Sequence, residues 1–95
     1  MIYEWDPKKA KANLRKHRVS FEEAATLFLD PLAVTYPDPD HSDDELREIT
    51  VGHSARHRVI FIYHTQRRDR IRIIGARKAT ARERKQYEES ISEEE

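Results

Sequence analysis

The segment from Arg58 to Ile74 leaves this chain little choice of fold. Arg58-Val59-Ile60-Phe61-Ile62-Tyr63-His64 is its most apolar run, and Arg67-Arg68-Asp69 follows as a turn. Arg70-Ile71-Arg72-Ile73-Ile74 then alternates, with Ile71 and Ile73 on one face and Arg70 and Arg72 on the other. A run that is apolar on both faces belongs in the middle of a sheet. A hairpin-length link makes the next strand its antiparallel neighbour.

The remaining segments supply partners for that sheet. Ile2-Tyr3-Glu4-Trp5 reads as an edge strand, and Asp6-Pro7 opens a helix that runs to His17, with Ala10, Leu14 and His17 as its inner stripe. Ser20 and Glu23 form a capping box for a second helix, with Phe21, Ala24, Ala25 and Phe28 facing inward and Asp30-Pro31 as its stop. Leu32 to Tyr36 and Arg47 to His53 read as strands, the latter with Ile49 and Val51 inward, separated by a turn-rich loop from Pro37 to Asp44. Thr80 and Glu83 form a second capping box, opening a helix to about Ile91. The order β-α-α-β-β-β-β-α implies an α+β domain: an antiparallel sheet with two N-terminal helices and one C-terminal helix, the helices on one face. Residues 1–91 form the expected single domain and residues 92–95 an acidic tail expected to be disordered.

Composition removes several function classes. The 95 residues include no cysteine, which excludes disulfides, thiolate metal sites and a cysteine nucleophile. No apolar run approaches the roughly 18 residues of a membrane span, so no membrane role and a cytoplasmic location are expected. The net charge of zero conceals sorting along the chain. Residues 67–87 carry nine cations against two acids, and residues 8–18 carry six cations and no acid. Residues 22–48 carry nine acids and one cation, Arg47, and residues 88–95 carry five acids. If the two basic segments meet in space they form one trough for a polyanion, and RNA is the expected ligand. The plainer reading is a solvated surface.

Candidate chemistry follows from that charge. Asp38, Asp40, His41, Asp43 and Asp44 superficially suggest a metal loop, but Asp43 and Ile49 stand where a calcium loop needs its glycine and its glutamate. No metal and no cofactor are expected. Metal-free RNA cleavage needs a base for the 2′-hydroxyl, an acid for the 5′-oxygen and fixed cations for the phosphorane. Arg47, Arg77 and Lys78 can act as clamps, with Lys16, Arg70 and Arg72 as further RNA contacts. Strand parity puts Arg77 on the Ile71/Ile73 face unless a bulge intervenes at Gly75. His17, between Lys16 and Arg18, is either a general acid or base or a ring capping the helix's last carbonyls. Glu83 and Tyr87 share a helical face and could shuttle a proton; equally, the capping box accounts for Glu83 and packing for Tyr87.

The ordered set of residues also resembles a known family. Trp5-Asp6, Lys9, Asn13, the Lys16-His17-x-Val19-Ser20-Phe21-Glu22-Glu23-Ala24 run and Asp30-Pro31 are similar to the BrnT family. So are Asp40-x-Ser42, Arg47, Gly52, Arg58, the Arg70-Ile71-Arg72-Ile73-Ile74-x-Ala76-Arg77 strand, and Glu83 with Tyr87. The resemblance implies a RelE-like fold and a metal-independent endoribonuclease toxin that inhibits translation. It further implies a BrnA-like antitoxin with a ribbon-helix-helix part, the toxin touching DNA only through that complex. The chain departs from the family's usual pattern at Arg18, where glycine is usual, and at Gly75, where serine is usual. The competing reading is a non-catalytic RNA- or partner-binding module that acts as a co-repressor component.

Overall fold

The central strand expected from the sequence is β4, Val59–Arg67. Around it the computed structural model describes residues 2–40 and 46–93, so the readings made for His41, Ser42, Asp43, Asp44 and the last two glutamates lie outside the described residues. The other strands are β1 (Ile2–Glu4), β2 (Val34–Pro37), β3 (Arg47–His53) and β5 (Arg70–Lys78). The helices are α1 (Pro7–His17), α2 (Phe21–Ala25) and α3 (Ala81–Glu93), with a 3₁₀ turn over Thr26–Leu29. The sheet order is β1-β5-β4-β3-β2. Strands β2 to β5 pair antiparallel, whereas β1 runs parallel to β5 and makes the sheet mixed. Among the described residues no helix is long and apolar enough to cross a membrane.

The helices do not all share one face. Val19, Phe21, Ala24 and Leu27 pack on Ile60, Ile62, Ile73 and Ala76 to form the main core. Tyr87 of α3 instead packs with Val51 and Val59, and Phe61, Ala79 and Ile91 border that smaller cluster. The reason is the strand that organises the chain: Val59 and Phe61 point away from Ile60 and Ile62, and leaving both faces' apolar groups in water is unfavourable. The C-terminal helix covers the second face.

Two helical stripes also differ from expectation. Leu27 is fully buried although a 3.6-residue period points elsewhere. The 3₁₀ turn tightens the repeat to about three residues, which stacks Leu27 on the Ala24 side. In α1 the inward residues are Ala10, Asn13 and His17, while Leu14 is 49% exposed. Asn13 is the link: its Nδ2 donates to the Val19 carbonyl at 3.0 Å and its Oδ1 accepts from the Ala76 amide at 3.1 Å. An amide there satisfies a donor and an acceptor that leucine would leave orphaned.

Buried polar groups are likewise paired. Glu23 fulfils half its capping box, its amide donating to Ser20 Oγ at 3.0 Å. Its carboxylate accepts from Arg58 Nε at 2.9 Å, Ser54 Oγ at 2.7 Å and Arg58 Nη2. Burial alone would raise its pKa, but the hydrogen bonds from Arg58 and Ser54 prevail and hold it below the usual carboxylate value. His64 is buried, shares a 2.7 Å hydrogen bond with Thr50 and meets Phe28 edge-on. Burial lowers its pKa and keeps the ring neutral, as suits a structural histidine.

Arg18 caps α1 in the left-handed conformation, with φ 59° and ψ 30°, its N–H bonded to the Leu14 carbonyl at 2.9 Å. A side chain there is strained, and glycine is not. The carbonyl of Arg18 accepts from Arg58 Nη2 at 2.9 Å, a bond that glycine preserves. Arg18→Gly is therefore expected to stabilise the fold by about 0.5–1 kcal/mol, read as a higher urea midpoint at unchanged slope.

Candidate functional site

The site begins with an irregularity in β5. Tyr63 pairs with Gly75 but His64 pairs with Ile73, so Ile74 is an extra residue. A bulge of one residue reverses which side chains face which side. Before it, Ile71 and Ile73 are buried; after it, Ala76 takes the core position and Arg77 turns to the opposite face. The parity expectation for Arg77 is thus overturned by the bulge, one residue earlier than Gly75.

On that face Arg77 is held on several sides. Its guanidinium lies 4.6 Å above the Phe61 ring. Nη1 and Nη2 donate to the two Glu83 oxygens at 2.8 and 2.9 Å, and Nε donates to the Tyr63 hydroxyl at 3.2 Å. Glu83 also completes its capping box, accepting from the Thr80 amide at 2.9 Å while its own amide donates to Thr80 Oγ1 at 3.1 Å. Glu83 therefore caps α3 and pairs with Arg77 at the same time. The hydrogen bond from Arg77 pulls the Glu83 pKa down to about 2. Reciprocally, Glu83 raises the pKa of Arg77.

Beside this pair lies a hollow of about 570 Å³. Its walls include Tyr36 of β2, Arg47 and Ile49 of β3, Tyr63 of β4 and Gly75 of β5, with Asp38 and Asp40 at the start of the following loop. Arg47 is half-buried, and among the described residues no carboxylate lies within ion-pair distance of it. Burial raises the Tyr36 pKa, as does Tyr63; Arg77 opposes them, and Glu83 and Asp38 add to them. The hydroxyl stays protonated at neutral pH. Tyr36 and Tyr63 were not singled out from the sequence. The register that pairs Tyr36 with Ile49, Ile49 with Tyr63 and Tyr63 with Gly75 puts them in one row, and only strand pairing reveals it.

The other sequence candidates are dispersed. Tyr87 is buried and its hydroxyl donates to the Leu32 carbonyl at 2.9 Å, while Glu83 is bonded to Arg77 and Thr80, so the two side chains have separate partners. His17 is half-buried at the end of α1 and Lys16 is exposed, and neither lines the hollow. Arg70 sits at the far end of β5 near Asp69, and Arg72 pairs with Glu4 at 3.7 Å. Lys78 is exposed, one strand position after Arg77. No residue of 8–18 lines the hollow, so the single trough expected from two basic segments is not what forms there. Among the described residues no three His, Asp or Glu side chains converge to hold a metal.

Residues 5–83 match the family described as the ribonuclease toxin, BrnT, of a type II toxin–antitoxin system. The chain belongs to that family. The matched span contains His17, Arg47, Arg77 and Glu83, and ends before Tyr87. The crystal structure of the Brucella abortus ribonuclease toxin, BrnT, shares the fold, with a TM-score of 0.66 at 19% identity over 84% of this chain and 99% of that chain. No curated protein matches the sequence. A Cβ at Gly75 would meet nothing closer than 3.8 Å.

The Arg77–Glu83 pair yields a pH-dependent expectation. Because the folded pKa of Glu83 lies at about 2, below the ordinary 4.5, the stability it supplies is present above pH 4.5 and is lost as pH falls toward 2. Glu83→Gln is expected to destabilise the fold by about 1–2 kcal/mol at pH 7. Urea unfolding of the two proteins should converge between pH 4.5 and 2.

Proposed function

We propose that this chain is an endoribonuclease toxin that cleaves RNA without a metal ion, by attack of a 2′-hydroxyl on the adjacent phosphate. The observation that carries the reading is Arg47, half-buried and with no carboxylate at ion-pair distance among the described residues, on the same sheet face as an Arg77 pinned by Glu83, Tyr63 and Phe61. Fixed cations stabilise the charge that grows on the phosphorane without reorganising during the reaction. Glu83 positions Arg77; a carboxylate with a pKa of about 2 is too weak a base to take the 2′-hydroxyl proton at neutral pH. No proton-transfer group is assigned within the hollow; His17 and Lys16 at the end of α1, with Lys78, are proposed contacts to the RNA strand beyond it. The toxin is cytoplasmic, acts by depleting translatable RNA and is neutralised by a BrnA-like antitoxin whose ribbon-helix-helix part binds DNA.

Purified protein incubated with RNA in EDTA is expected to cleave it and leave 2′,3′-cyclic phosphate ends. Arg77→Ala should lower the cleavage rate by about 100-fold or more while RNA affinity changes little. Cleavage abolished by EDTA would overturn the metal-free chemistry. Equal loss of affinity and cleavage would favour the non-catalytic binding module.

The antitoxin has its own test. Its contacting segment should carry acidic residues that meet Arg47 and the neighbouring cations, so the complex should loosen with rising salt. The protein encoded beside this toxin is expected to co-purify with it, and the complex should bind DNA that the toxin alone does not retain.

A further inference from the structure

The hollow beside Arg77 has features that phosphate binding leaves unused. Its volume of about 570 Å³ is that of a small-molecule site. Two tyrosines stand in one row on its floor, separated by Ile49, and Tyr36 is 38% exposed. Gly75 leaves one wall bare, with 3.8 Å or more of clearance around a Cβ. At the rim, buried Asp38 accepts the Asp40 amide at 3.1 Å, and Asp40 itself is exposed.

We propose that this hollow is a nucleobase site selective for guanine, seating the base of the nucleotide whose phosphate meets Arg47. The proposal rests on the nuclease reading for RNA as the source of that nucleotide. Flat aromatic and aliphatic surfaces accept any base by stacking, so Tyr36, Tyr63 and Ile49 supply affinity but no choice. Choice comes from Asp40. An ionised carboxylate only accepts hydrogen bonds, through two oxygens side by side. Guanine alone presents two adjacent donors on its Watson–Crick edge, N1–H and the 2-amino group. Adenine and cytosine set an acceptor beside their amino group, and uracil flanks its single N–H with two carbonyls, each of which a carboxylate repels.

The test uses the full chain and free nucleotides, with NMR shifts of the Ile49, Tyr63 and Gly75 amides as readout. GMP is expected to move these amides and to bind about tenfold or more tightly than AMP, CMP or UMP. Inosine monophosphate, which keeps N1–H but lacks the 2-amino group, should lose most of that advantage. Asp40→Asn should erase the preference without shifting the urea midpoint, and Tyr36→Ala should weaken all four nucleotides alike. Equal binding of the four, no shift at these amides, or a preference that survives Asp40→Asn would overturn the proposal. GMP bound selectively by a protein that cleaves no RNA would remove the nuclease reading and leave the base site standing; cleavage indifferent to guanine, with no GMP binding, would do the reverse.

Discussion

The extra residue at Ile74 governs both faces of the sheet. A strand without it would set Gly75 opposite Ile62, where Ala76 now completes the core, and Arg77 opposite Ile60, on the face away from Glu83, Tyr63 and Phe61. The core would lose a methyl group and Arg77 every partner that now holds it. The bulge avoids both at the cost of a single unpaired ladder position. It also brings Ala76's amide to Asn13, so α1 is fastened to β5 next to the place where the strand changes parity. Core packing, helix docking and the placing of Arg77 therefore share one local cause.

The Glu23–Arg58 pair does for the helical face what Glu83–Arg77 does for the other. Glu23 accepts from Arg58 and Ser54, and Arg58 also donates to the Arg18 carbonyl, so one carboxylate ties α2, the α1 cap and the start of β4 together. Such a buried pair adds little net stability over an apolar substitute, but removing one partner strands the other. Its role is positional. It fixes where β4 begins, and hence the register in which Phe61 and Tyr63 reach the second face.

Much of the fold was legible because hydrophobic alternation and capping signals are local. The strands around Val59–Tyr63 and Arg47–His53, the Asp6-Pro7 start and the Thr80–Glu83 box all depend on neighbours in sequence. What escaped depends on tertiary context. Leu27 is buried because a helix tightens, Leu14 is exposed because Asn13 has two backbone groups to satisfy, and Arg77 changes face because of one bulged residue. The candidate site was legible only in part for the same reason. Arg77 and Glu83 stand close in sequence and were found, whereas Tyr36 and Tyr63 come together only through strand register. For Tyr87 the spacing leaves packing and proton transfer both open, because it shows which residues share a face, not where a hydroxyl finds its acceptor, here the Leu32 carbonyl.

The geometry of Arg77 also limits what it can offer a phosphate in the proposed site. A guanidinium has five N–H groups. Glu83 takes one on each terminal nitrogen, Tyr63 takes Nε–H, and the Lys78 carbonyl draws on Nη1 at 3.4 Å. Among the described residues this leaves one Nη2 hydrogen uncommitted, so Arg77 can offer a phosphate a single directed bond but not the two-pronged grip usual for arginine. Glu83 also offsets the repulsion between that cation and the positive N-terminal end of α3. Rigidity is gained and donors are spent. Arg47, with no carboxylate at ion-pair distance among the described residues, retains the donors that Arg77 has given up. Arg77 is fixed and nearly saturated, and in the proposed site it would orient a phosphate that Arg47, uncommitted to any carboxylate among the described residues, would grip.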